Sequence, residues 1–190
     1  DSNKYVISHY FIPETKLEDV ANDEKSGAKY KEWRDKGLLT VTEGSDVDLA
    51  LVADWFYKLY TDYNIKLWKC GYDQRFSKDR INRMEFYGGW MKTGGDDSDL
   101  IMINQNAPTL STAIKLTESE LKRNLVRFNN NDMDRWCLSN AGLQVMNSIG
   151  QVLLVKISTE KRIDGAVALA ILYEMYRRYR TDFKALAERT

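Results

Sequence analysis

The apolar positions of the chain fall in short blocks, some with strand character and some at helical spacing. Residues 5 to 12, YVISHYFI, mix β-branched and aromatic side chains and stop at Pro13, the pattern of a strand that ends in a turn. Asp1 to Lys4 read as the end of a turn leading into that strand. From Thr15 to Lys36 the chain is charged and helix-prone. Tyr30 and Trp33, three residues apart, offer one apolar face before Gly37 ends the pattern, and the segment is expected as a surface excursion. Leu38 to Thr42 form a short strand. After the turn Glu43, Gly44, Ser45, a helix is expected from near Asp46, with Val47, Leu51, Trp55, Leu59 and Tyr60 on the face it lays against a sheet.

Residues 65 to 73, IKLWKCGYD, are too short a run for a helix and predict a strand buried on at least one face, followed by a helix from Ser77 to Tyr87. The polar loop Thr93 to Asp99 leads into LIMIN, another candidate strand. Residues 111 to 127 predict a long amphipathic helix with Ile114, Leu121 and Leu125 on its apolar side. Two short apolar runs, Trp136 to Leu138 and Gln151 to Ile157, suggest a hairpin or an edge pair. From Asp164 a last helix carries Val167, Ala170, Ile171 and Met175 inward and ends in Arg177, Arg178 and Arg180, which could complement the helix end, contact DNA or face another subunit. Alternation of strand and helix argues for an α/β sheet rather than two separated layers.

Composition narrows the possibilities. With 190 residues and 43% hydrophobic content, the expectation is one globular domain with a genuine core. The 28 basic and 28 acidic side chains cancel, so a polyanion would have to be met by a local patch. Cys70 and Cys137 stand in no metal-binding or disulfide spacing, which fits a reducing, intracellular setting. No run approaches the roughly 18 apolar residues of a membrane span, and we expect no membrane partner. The single histidine, His9, cannot build a His-rich site and is expected to be satisfied or exposed.

Two acids stand out. Asp73 ends an apolar strand, and strand ends are where α/β sheets build sites. Asp164 opens a helix whose buried side is otherwise apolar. Each has an ordinary role open to it, Asp73 as a turn or cap and Asp164 as an acid favoured by the helix dipole. Together they suit hard divalent cations, which prefer carboxylate oxygens. A pair of ions about 4 Å apart, held by acids from separate elements, can drive phosphodiester cleavage. Asp96, Asp97 and Asp99 lack the downstream Glu of a calcium-binding loop and read as a surface loop.

Five stretches occur in a telling order: FIPE (Phe11 to Glu14), GYDQRF (Gly71 to Phe76), PTLSTAIKLTESEL (Pro108 to Leu121), the spaced Asn131, Trp136 and Asn140, and KISTEKRIDGAVAL (Lys156 to Leu169). This series resembles the nuclease domain of tailed-phage terminase large subunits and covers nearly the whole chain. The resemblance implies an α/β, ribonuclease H-like fold with a mixed central sheet and flanking helices, and a metal-dependent endonuclease that cuts concatemeric viral double-stranded DNA during packaging into procapsids. It implies Mg²⁺ or Mn²⁺, as two ions, with Asp73 and Asp164 matching two of the three family acids. Arg75, Lys156, Lys161 and Arg162 flank them and could hold phosphates. Trp136 is expected to pack, and Asn131 and Asn140 to serve turns.

The family's first acid lies well upstream of FIPE, and Asp1 is too close to Phe11 to supply it. We therefore expect a nuclease domain without its first strand, which would bind cations weakly and cut slowly. No GxxxxGK[ST] loop is present, so the expected ATPase domain would be a partner, with portal protein and small terminase subunit, in the bacterial cytoplasm. Another ribonuclease H-like nuclease of resolvase or integrase type, or a non-catalytic DNA-binding or docking module, are the alternatives.

Overall fold

A computed structural model describes residues 3–73, 83, 84, 87 and 99–188, excepting the side chains of residues 20–22 and 187. The chain divides into two compact units. One comprises Asp1–Asp48 and Ile114–Leu169, and the other Leu49–Ala113 and Ala170–Thr190.

In the first unit the segment expected as one strand is two. β1 (Lys4–Val6) begins inside the expected turn and pairs in parallel with β6 (Val126–Phe128), whereas β2 (Tyr10–Pro13) pairs in parallel with β3 (Leu39–Thr42). Between β1 and β2, the Asn131 side-chain amide donates to the Ser8 carbonyl, so a side chain takes the place of a ladder partner. His9 bonds Thr40 Oγ1 through Nε2 at 2.8 Å and meets the Phe11 ring edge-on, a satisfied histidine.

The region from Thr15 to Lys36 is a three-helix part of the core, not a surface excursion. α1 (Glu14–Leu17), α2 (Val20–Ser26) and α3 (Tyr30–Asp35) are separated by turns, and Gly27 and Gly37, at positive φ, end α2 and α3. Leu17, Tyr30 and Trp33 pack with Ile12, Leu39 and Met133. The rings of Tyr30, Trp33 and Trp136 meet pairwise at 5.2 to 6.0 Å.

Two further expectations in this unit need correction. The helix expected to reach residue 127 stops at Lys122, because Asn124 turns left-handed (φ 55°) and the N–H of Leu125 bonds back to the Glu120 carbonyl. Residues 126–128 thus become β6. Trp136 to Leu138 lie not in a hairpin strand but in the helix Asp132–Ser139, started by Asn131, whose side chain accepts from the Met133 N–H. The hairpin joins β7 (Ala141–Val145) to β8 (Val152–Lys156), antiparallel.

In the second unit α4 (Leu49–Tyr63) buries Ala53 and packs Phe56 inward, a face rotated from the expected one. β4 (Cys70–Tyr72) pairs in parallel with β5 (Leu100–Met102), and residues 64–69 before it are irregular. The helix expected over Ser77 to Tyr87 and the loop Thr93 to Asp99 lie largely outside the described residues. Asp99 itself pairs with Lys69 at 3.3 Å. Two long helices contribute residues to both units: α5 (Ala107–Lys122), started by Asn106, whose Oδ1 accepts the Thr109 N–H, and α7 (Asp164–Ala187); the capped helix 132–139 is α6. Among the described residues the strands form four two-stranded sheets, three parallel and one antiparallel, rather than one mixed central sheet. No described helix is long and apolar enough to cross a membrane.

Candidate functional site

Asp73 follows directly on β4 in the second unit. The Tyr72 carbonyl accepts the Ile103 N–H at 2.8 Å, and the Cys70 N–H donates to the Asp99 carbonyl, so the parallel pair is held up to the residue before Asp73. Gly71 lets this strand approach α7, since a Cβ there would stand 2.7 Å from Met175 Cγ and 2.8 Å from Ile171 Cγ2. The Asp73 carboxylate is half-buried at the C-terminal end of a parallel strand, where open α/β sheets present ligand-binding groups.

Asp164 occupies the first turn of α7 and is exposed, beside the buried Ile163. The approach to the helix is held by Asn140, 3% exposed, whose side-chain amide donates to the Arg162 carbonyl at 3.0 Å while its own carbonyl accepts the Ile157 N–H. Trp136 Nε1 and Lys161 Nζ both donate to the Ser26 carbonyl at the end of α2, at 3.3 and 2.8 Å. Asn131, Trp136 and Asn140 therefore do structural work, as the sequence suggested.

The flanking cations differ in kind. Lys156, at the end of β8, is exposed. Lys161 is half-buried on Ser26, and Arg162 Nη1 reaches the Lys161 carbonyl at 3.4 Å. Arg75 lies outside the described residues. The last helix does not end at its arginines but runs on to Ala187, and within it Arg177 and Arg178 both bond the fully buried Glu174, at 2.7 to 2.9 Å. Burial raises the Glu174 pKa, but the two guanidinium groups outweigh it and hold the carboxyl below its ordinary value.

Sequence reasoning missed a polar cluster beneath the start of α7. Tyr10 donates its hydroxyl to Asp134 Oδ1, and Cys137 sits beside both. Burial raises the Asp134 pKa against the Tyr10 and Ser8 hydroxyls, and pushes the Cys137 thiol up to about 11. The available signal was Asp134 and Cys137 at i, i+3, one face of a helix that was read as a strand.

Carboxylate oxygens suit Mg²⁺ or Mn²⁺, and among the described residues neither Asp73 nor Asp164 is committed to an ion pair. Each of these acids, taken singly, has the donor chemistry that a divalent cation takes. No group of three or more His, Cys, Asp or Glu side chains placed to hold a metal occurs among the described residues.

Small sheets with helices between them make this a mixed α/β chain. The sequence model of the family "Terminase large subunit, endonuclease domain" matches residues 1–179, and the chain belongs to that family. Protein YmfN of Escherichia coli (strain K12) is 24% identical over 178 residues, covering 89% of this chain and 37% of YmfN. The crystal structure of the HK97 bacteriophage large terminase is similar in fold, with a TM-score of 0.70 and 22% identity, over 87% of this chain and 32% of that one. The chain thus spans about a third of the length of each of these relatives.

Proposed function

We propose that the chain is a metal-dependent endonuclease domain of ribonuclease H-like type, which cuts concatemeric viral double-stranded DNA as genomes are packaged into procapsids. The family match over residues 1–179 carries this reading. It is supported by the places of the two candidate ligands, Asp73 after a parallel strand and Asp164 on a helix's first turn. In this reading both carboxylates ligate Mg²⁺ or Mn²⁺. Bound divalent cations supply Lewis acidity and an activated water for phosphodiester hydrolysis.

The remaining work belongs to the chain's own groups. Lys156 and Arg162, with Arg75, hold the phosphodiester backbone and so orient duplex DNA without reading its bases, whereas the Lys161 ammonium, the fourth candidate, is engaged by the Ser26 carbonyl. Such contacts predict little sequence preference. The partners in this reading are double-stranded DNA, the terminase ATPase domain, the portal protein and the small terminase subunit, in the cytoplasm of a bacterial host.

Plasmid nicking in Mn²⁺ tests the assignment. The unsubstituted chain should convert supercoiled DNA to open circles, and EDTA should stop it. Asp73→Ala and Asp164→Ala should each lower the rate at least about 100-fold, in line with loss of a metal ligand rather than of an outer contact. Metal-dependent nicking that survives both changes would exclude these two acids as the ligands.

A further inference from the structure

The first turn of α7, which carries Asp164, starts on top of a buried polar cluster in its own unit. Tyr10, from β2, donates its hydroxyl to Asp134 Oδ1 at 2.7 Å. Asp134, on α6, is 7% exposed, and its other oxygen, Oδ2, is buried without a hydrogen bond among the described residues. Cys137, one turn further along α6, is also buried and receives the backbone N–H of Gly165, the second residue of α7.

Gly165 closes the arrangement. A Cβ there would run into the Tyr10 hydroxyl oxygen and would stand 3.1 Å from its Cζ and 3.2 Å from the Cys137 Cβ. Only glycine allows the helix to begin so close to the tyrosine. The height of this turn is thus set by the Tyr10 ring, and the ring is held by its bond to Asp134. A buried carboxylate with one oxygen left unbonded is costly, so this bond is not explained by packing economy.

We propose that Tyr10 and Asp134 are positioning residues for Asp164: their hydrogen bond fixes the ring on which Gly165 rests, and so fixes the direction in which the neighbouring carboxylate leaves the helix. The proposal rests on the reading of Asp164 as a metal ligand. Ligand groups must be held within about 0.5 Å of their working geometry. Tyr10→Phe removes the atom that touches the turn and takes away the hydroxyl that Asp134 Oδ1 accepts.

Mn²⁺ binding to the 190-residue chain, measured by water-proton relaxation without DNA, reads this directly. Tyr10→Phe and Asp134→Ala should each weaken Mn²⁺ binding about tenfold, the low end for an outer-shell partner. Their nicking rates should return to within about twofold of the unsubstituted chain when Mn²⁺ is raised to saturation. Asp134→Asn keeps an oxygen for the Tyr10 hydroxyl and should bind Mn²⁺ like the unsubstituted chain, which separates positioning from the charge of Asp134. Tyr5→Phe, at an exposed tyrosine of β1, should change nothing.

If Asp164→Ala abolishes binding while Tyr10→Phe and Asp134→Ala bind normally, the positioning role is overturned and the ligand assignment stands. If Asp164→Ala itself binds Mn²⁺ normally, the ligand assignment fails. Should Tyr10→Phe not fold, the Asp134→Ala and Asp134→Asn pair decides, and equal loss in both overturns the proposal.

Discussion

Asn131 serves two segments at once. Its Oδ1 accepts the Met133 N–H at 2.9 Å and so starts α6, while its Nδ2 donates to the Ser8 carbonyl at 3.2 Å, across the gap between β1 and β2. Both partners are backbone groups, and the side chain is only 3% exposed, so water cannot replace what is lost. A cap is worth about 1 kcal/mol and a further buried hydrogen bond about as much again. Asn131→Ala should therefore lower unfolding stability by about 2 kcal/mol in urea titration. Asn131→Asp keeps the cap acceptor but loses the donor to Ser8, and should fall measurably below the unsubstituted chain. An alanine variant within about 0.5 kcal/mol of the parent, the range of neutral surface changes, would show that neither bond matters.

At the scale of elements, the long segments were legible and the short ones were not. The start of α7 at Asp164 was read correctly, because twenty-odd residues of consistent helical spacing outweigh local noise. The strand–helix boundary near residue 124 was not, because it depends on one asparagine adopting a left-handed conformation inside a sequence that still looks helical. Trp136 to Leu138 misled for the opposite reason: three residues carry no period, and the cap that makes them helical lies five residues before the tryptophan. Motif order singles out Asp73 and Asp164 as candidates from the sequence, whereas Tyr10 and Asp134, 124 residues apart, meet only through the fold.

The same helix makes a testable pH prediction within the second unit. Burial works against the charged form of Glu174, but the bonds from Arg177 and Arg178 prevail, so its folded pKa lies below the unfolded value of about 4.3. Stability from this group is complete above that value and is lost as pH falls through the lower folded pKa. Glu174→Gln should cost about 1.5–3 kcal/mol at neutral pH, the worth of a hydrogen bond to a charged group. It should also flatten the loss of stability on acidification below about pH 4.3. A variant whose acid limb has the parent's slope would remove Glu174 from the groups that link folding to pH.

On the scale of the whole molecule, charge decides how DNA could be held. With 28 basic and 28 acidic side chains there is no net field to gather duplex DNA, so affinity must come from a few placed cations. Each phosphate neutralised contributes about 0.9 to the slope of log K against log salt. The structure ranks the cations for this role. Lys156 is exposed at the end of β8, whereas the Lys161 ammonium is drawn onto the Ser26 carbonyl at the end of α2, where the Trp136 indole donates as well. Lys156→Ala should therefore reduce the salt slope by about 1 while leaving the unfolding midpoint unchanged. Lys161→Ala should mainly lower the midpoint, because it strips a charged donor from the carbonyl of the buried Ser26. Fluorescence anisotropy with one duplex from 50 to 300 mM salt, beside urea titration of the same samples, separates the two behaviours. If Lys161→Ala changed the salt slope and left stability alone, its bond to Ser26 would be incidental and its ammonium would belong with the phosphate contacts. A slope unchanged by Lys156→Ala would instead move the DNA-binding face away from the β7–β8 hairpin.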